Sequence, residues 1–239
     1  VNGDTIFVEN ADLIALDKTG NADPIAAAVT MDYSGSMGFT DLANMEGAMK
    51  TFVRLKENRD EIEVIKFASS VETVQEFTND TTLLMAAIEN DPRVGTFTAF
   101  YESCRVGLES ANQLNNVIPA VIGFTDGGDN NSFISLSGLI ELAQEYQIPI
   151  YTVGYGSSSA PQNLEVLAEE TGGRFFLSPD GQGVQDLYET ISGQLRKLYL
   201  VQWLNSLPSG TVVVISITTT YTAGNGSFTD TVEKTFVIN

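Results

Sequence analysis

Histidine is absent from the 239 residues, and cysteine occurs once. Without histidine there is no Ser-His-Asp or Cys-His catalytic arrangement and no His-rich zinc site. Any metal must then be held mainly by oxygen, which favours Mg, Ca or Mn. Cys104 alone cannot close an internal disulfide, and in an apolar helical stretch it is expected as a small core residue rather than a nucleophile. Basic residues are scarce, 12 Lys and Arg against 31 Asp and Glu, for a net charge of −19. Phosphate binding needs clustered Lys and Arg, so nucleic acid is excluded as a partner. Such a surface either attracts cations and suits a salty or calcium-rich medium, or serves solubility alone. No run approaches the roughly 20 apolar residues of a membrane-spanning helix. The chain starts at Val1 without a basic or apolar leader, as expected of a fragment or a mature product.

What is present has a globular composition, 43% hydrophobic and 18% charged, sufficient for one well-buried core and a smaller appendage. Residues 24–31 (PIAAAVTM) form a continuous apolar run, the pattern of a strand covered on both faces. It stops at Asp32 and a small polar turn, YSGSMG. Residues 41–56 then place Leu42, Met45, Met49, Phe52 and Val53 at helical spacing. The alternating segments 61–67 and 71–77 lie a few residues apart and predict an antiparallel hairpin at a sheet edge. Helices are expected over 81–90 and 99–114, a second apolar strand over 117–125 ending at Asp126, a helix over 134–147 and a strand over 148–153. A helix over 164–170 is closed by Thr171-Gly172-Gly173. A short strand over 174–177 and a helix over 184–198 follow.

Alternating strand and helix over 24–199 predicts an α/β fold with a doubly wound, mainly parallel sheet. Ligands in such sheets bind where the strands end, so Asp32 and Asp126 are expected to meet at one rim. Segments 4–16, 211–221 and 228–238 read as strands, the last two joined by Gly224-Asn225-Gly226. The expected organisation is an α/β domain over 24–199 inserted into a small β module built from both termini, 1–23 and 200–239.

Asp32-Tyr33-Ser34-Gly35-Ser36 has the form D-x-S-x-S. One carboxylate and two hydroxyls at alternate positions can turn three oxygens toward one point, where a hard cation accepts oxygen ligands and keeps some waters. With so little ligand charge the ion stays electrophilic toward an incoming carboxylate. Serines after a strand are otherwise turn or cap residues; here the motif lies between an apolar strand and an amphipathic helix.

VTMDYSGSMG resembles the metal-ion-dependent adhesion site (MIDAS) of von Willebrand factor type A (VWA) domains. GTFTAFYES resembles the threonine loop of that family, IGFTDGGDN its third metal segment, and IPIYTVGYG, LAEETGGRFF and DLYETISGQL its later strands and helices. The resemblance spans 24–199. It implies a Rossmann-like VWA fold and a divalent cation, Mg foremost and Ca or Mn as alternatives, held by Asp32, Ser34, Ser36, Thr98 and Asp126. The two serines would coordinate directly, and Thr98 and Asp126 would approach from the other loops, one of them through water. Thr96 is the alternative to Thr98, which fits the family pattern better. Tyr33 departs from the smaller or apolar residue usual there; it either shades or packs on the site or is a surface aromatic. Asp129 is expected to shape the DGGDN turn, and Asp41 and Glu46 to cap or line the exposed face of the first helix.

The resemblance implies a metal-dependent protein-binding (adhesion) module, not an enzyme, in an extracellular or cell-surface protein, taking an Asp or Glu of a protein ligand. The alternatives are a structural spacer in a multidomain chain and a VWA subunit of an intracellular complex. A phosphatase of the haloacid-dehalogenase type would need D-x-D, and Ser34 occupies the place of its second carboxylate.

Overall fold

The computed structural model describes residues 12–15, 23–90, 95–126, 128–155, 161–177, 188–193, 199–202, 208–223 and 226–237. The chain divides into two compact units, one spanning Ala15–Tyr199 and one combining Val1–Ile14 with Leu200–Asn239.

The first unit is built on a six-stranded sheet. Its strands are β2 (Ile25–Asp32), β3 (Glu61–Phe67), β4 (Val71–Thr78), β5 (Ile118–Thr125), β6 (Ile150–Gly154) and β7 (Phe175–Leu177), in the spatial order β4-β3-β2-β5-β6-β7. β3, β2, β5, β6 and β7 run parallel, and β4 closes one edge antiparallel to β3, as the short 68–70 link predicts. β2 and β5 are the central pair. Every residue of β2 is buried, which explains why its sequence runs apolar instead of alternating.

Alternate side chains feed two cores. Ala27, Val29 and Met31 of β2 and Ala120, Ile122 and Phe124 of β5 pack with Met45, Met49 and Phe52 of α1 (Phe39–Leu55) and with Leu84 and Ile88 of α2 (Thr81–Glu89). Ala28, Ile65 and Val121 pack instead with Phe100, Cys104 and Leu108 of α3 (Phe100–Ala111), Leu139 and Ala143 of α4 (Leu136–Tyr146), and Leu164 and Leu167 of α5 (Pro161–Glu170). Cys104 is wholly buried, the core residue its context predicts. Gly123 has a packing purpose: a Cβ there would stand 2.6 Å from the ring of Phe100, so its absence lets the start of α3 press on β5.

Helix ends differ from expectation for local reasons. α1 begins at Phe39 with Gly38 before it and no side-chain cap. α2 is capped by Asp80, which accepts from the amides of Thr82 and Leu83, and α4 by Ser135, which accepts from that of Gly138. α3 stops at Ala111, where i→i−3 bonds from Gln113 and Leu114 tighten the last turn. α4 ends on Gln147 in the left-handed region, φ 58°. α5 starts at Pro161, whose missing N–H costs nothing in a first turn. Of the helix expected over 184–198, residues 188–193 are described and are helical.

β1 (Asp12–Ala15) and β8 (Tyr199–Gln202) form a two-stranded sheet. β9 (Val212–Ala223) and β10 (Gly226–Val237) form an antiparallel hairpin, with Val212 opposite Val237 and Ile217 opposite Val232. The strand partner of β1 is therefore β8 rather than the hairpin. Residues 4–11, 16, 224–225 and 238 of the expected terminal strands and turn lie outside the described residues.

Candidate metal centre

β2 connects through α1 to β3 on one side, while β5 lies on its other side. This change of direction leaves a crevice at the carboxyl ends of β2 and β5. Asp32 is the last residue of β2, and Asp126 follows Thr125, the last of β5.

Asp32 is completely buried. One carboxylate oxygen, Oδ1, accepts the Ser34 amide at 2.8 Å, and the other, Oδ2, accepts the Thr125 hydroxyl at 2.6 Å. The first bond bends the chain so that Ser34 and Ser36 face one point, their Oγ atoms 3.1 Å apart. Ser36 Oγ donates to Asp126 Oδ1 at 2.9 Å, across 90 residues of sequence. Ser34 is buried and Ser36 exposed, so the cluster opens to solvent on the Ser36 side.

The threonine loop lies against the first loop. A Cβ on Gly35 would stand 3.6 Å from both the Cα and the carbonyl oxygen of Thr96. Thr98 is buried and Thr96 exposed. The third loop grips Thr98 from both sides: its amide donates to Asn130 Oδ1 at 2.8 Å, and its carbonyl accepts from the amides of Asn130 (3.0 Å) and Asn131 (3.2 Å). Asp129 accepts from the amide of Tyr101, and Ser132 Oγ from that of Glu102. Two N–H groups at the start of α3 are thereby capped from the third loop. Asp129 thus does more than shape its own turn.

Burial pushes the Asp32 carboxyl above the ordinary carboxylate range, against hydrogen bonds from Thr125 and Ser34, and the charge of Asp126 adds to the rise. Burial likewise pushes Asp126 up, against the Ser36 hydrogen bond, with Asp41 adding repulsion. Two carboxylates whose charged forms are disfavoured, beside two convergent hydroxyls, form a donor set that fits a hard divalent cation. Among the described residues no group of three or more His, Cys, Asp or Glu side chains gathers around one point. A metal here must rely on hydroxyl and carboxylate oxygens together.

Tyr33 is not a surface aromatic. It is buried, its hydroxyl donates to Glu46 Oε1 at 3.0 Å, and the ammonium of the buried Lys66 lies 4.7 Å from its ring centroid. Glu46 therefore faces Tyr33 rather than serving only as a solvated position on α1. Sequence reasoning overlooked two residues, Thr125 and Asn130. The threonine stands beside Asp126 at the strand end, a position that marks it as rim-facing, but nothing in the local pattern reveals that it bonds Asp32.

The chain matches the von Willebrand factor type A domain family over residues 28–190. An uncharacterized protein of Synechocystis sp., sll0103, is 23% identical over 158 residues, 63% of this chain and 36% of that protein, so the chain spans about a third of that curated relative's length. In structure the chain is similar to the vWF domain of the type V pili tip protein Mfa5 of Porphyromonas gingivalis, with a TM-score of 0.59 at 12% identity over 72% of this chain and 96% of that one. It is also similar to the manganese-loaded TRAP protein of Plasmodium vivax, with a TM-score of 0.58 at 14% identity over 95% and 97%. With the sheet order, the rim and the family match in agreement, the chain belongs to the von Willebrand factor type A domain family.

Proposed function

We propose that this domain binds a protein partner through a divalent cation held by Asp32, Ser34, Ser36, Thr98 and Asp126, the partner contributing an Asp or Glu side chain. The observation that carries the reading is the convergence of Ser34 Oγ, Ser36 Oγ and Asp126 Oδ1, from the ends of two central strands, beside the buried Asp32. A cation bound there, Mg foremost with Ca or Mn as alternatives, supplies a positive centre that accepts an oxygen from a carboxylate. Asp32 holds the first loop through the Ser34 amide, Thr125 anchors Asp32 to β5, and Ser36 ties the first loop to the third. Thr98 is preferred to Thr96 because it is buried and clamped by Asn130 and Asn131.

The role is binding rather than catalysis: the rim offers no histidine, and no second carboxylate stands at Ser34. Among the described residues no helix is long and apolar enough to cross a membrane. The family's adhesive members and the likeness to a pilus tip domain favour an extracellular or cell-surface setting. Calorimetric titration of Mg and Mn into the protein, repeated on Ser34→Ala and Ser36→Ala, tests the site. One binding event lost in both variants is expected; no binding by the parent protein overturns the reading.

A further inference from the structure

Three phenylalanines are left to solvent on or next to the loops that carry the candidate ligands, Phe39 as the first residue of α1. Phe39 is 94% exposed, Phe97 55% and Phe133 99%. Among the residues whose burial is described, no other phenylalanine, tyrosine or tryptophan is exposed. Their positions are not scattered. Phe39 comes three residues after Ser36, Phe97 immediately precedes Thr98, and Phe133 follows the Asp129–Ser132 segment that caps α3. The first loop passes close to the threonine loop at Gly35 and Thr96, and the threonine loop is hydrogen-bonded to the third through Thr98 and Asn130, so the segments that carry or adjoin the rings are neighbours. Phe133 also forms one wall of an open cleft of about 660 Å³, lined further by Ser69, Val71, Glu102, Asn130 and Ser132.

A single exposed apolar residue is ordinary, but a set gathered at one site marks a contact surface. Phe39 and Phe133 are almost wholly open to solvent and Phe97 is about half open, and aromatics that become buried on binding commonly anchor interfaces. We propose that the partner presents a lone Asp or Glu set among apolar side chains and free of neighbouring acidic residues, its carboxylate at the cation and its apolar flanks on Phe39, Phe97 and Phe133. This rests on the metal-dependent reading above.

Charge selects the partner class. The chain carries −19, so a polymer of repeated carboxylates, such as an acidic polysaccharide, is repelled along its length, whereas one acid on a neutral or basic protein patch is not. Phenylalanine also lacks the polar edge with which tyrosine or tryptophan holds a sugar hydroxyl.

The test selects a displayed library of random short peptides on the full chain in Mg, and on Phe39→Ser/Phe97→Ser/Phe133→Ser, with Mg titrated alone into both proteins. The expected result is peptides enriched in one acidic residue flanked by Leu, Ile, Val or Phe. They should be released by EDTA and bound about tenfold or more weakly by the triple variant, whose affinity for Mg alone is unchanged. Equal binding by both proteins, enrichment without apolar flanks, no enrichment, or preferential capture of polygalacturonate overturns the proposal while leaving the cation site standing. Absence of Mg binding by the parent, or peptide binding that persists in EDTA, overturns the metal reading itself and this proposal with it.

Discussion

The hydroxyl of Thr125 donates a 2.6 Å hydrogen bond to Oδ2 of Asp32, joining the last residues of the two central strands across 93 positions of sequence. This bond sets where the first loop starts. Thr125→Val preserves the shape of the side chain and removes the donor, leaving one carboxylate oxygen of a buried Asp short of a partner. A stability loss of about 1–3 kcal/mol is expected, with cation affinity reduced about 10–100-fold. Urea denaturation and Mg calorimetry on the same preparation check both numbers; unchanged affinity would show that Thr125 does not position Asp32.

The same geometry makes Asp32→Ala a poor probe. Its carboxylate holds both the Ser34 amide and the Thr125 hydroxyl, and deleting it strands two buried donors. Ser36→Ala is cleaner, because Ser36 is itself exposed and its removal takes away one part-buried hydrogen bond to Asp126 rather than stranding two buried donors, at an expected cost of about 0.5–1.5 kcal/mol. Loss of Mg binding in a protein that still unfolds cooperatively, with only a modestly lowered thermal midpoint, is the expected outcome, read by calorimetry and thermal denaturation.

Glu63 gives the fold a pH dependence separate from the metal rim. It is buried on β3, and Ser110 of α3 donates to its carboxylate. Burial pushes its pKa from 4.5 to about 7, against the Ser110 bond, with the charge of Glu76 adding to the rise. The folded protein therefore binds this proton more tightly than the unfolded chain. The resulting stability is fully present below about pH 4.5 and is lost as pH rises through about 7. Glu63→Gln keeps an acceptor for Ser110 and never ionises. It is expected to remove this slope and, above about pH 8, to exceed the parent in stability by up to about 3 kcal/mol. Denaturant midpoints from about pH 4 to pH 9 check it, and an identical slope in the variant would exclude Glu63 as the group responsible.

Lys66 supports the first loop from beneath. Its ammonium donates to the carbonyls of Ile88 (2.8 Å) and Asn90 (2.5 Å) at the end of α2 and lies over the Tyr33 ring. Lys66→Met keeps the apolar stem but leaves those carbonyls without this donor, at an expected cost of about 2–3 kcal/mol. Urea denaturation provides the measurement, and a neutral substitution would show that the carbonyls find other partners.

The segment Ala15–Tyr199 contains the whole six-stranded sheet and the helices on both of its faces. Expressed alone it is expected to unfold cooperatively and to bind Mg with the affinity of the full chain, which would support treating the terminal segments as a separate module. Circular dichroism during denaturation and calorimetry decide this; a loss of Mg binding in a folded fragment would tie the terminal segments to the site.

Much of this protein was determined by sequence alone. The apolar runs ending at Asp32 and Asp126, the amphipathic helices between strands, and D-x-S-x-S identify the α/β class and the rim, because strand burial and helix spacing are local patterns that survive without coordinates. The edge hairpin of β3 and β4 was legible for the same reason. Tertiary structure alone decided the rest. Tyr33 is polar at one end and looked fit for the surface, but the Lys66 ammonium and Glu46 carboxylate give it partners inside. The role of Thr125 depends on β2 and β5 being neighbours, and the role of Asn130 on the third loop reaching the second. Hydrogen bonds across 93 or 32 positions are set by which strands lie side by side, and no local spacing encodes that.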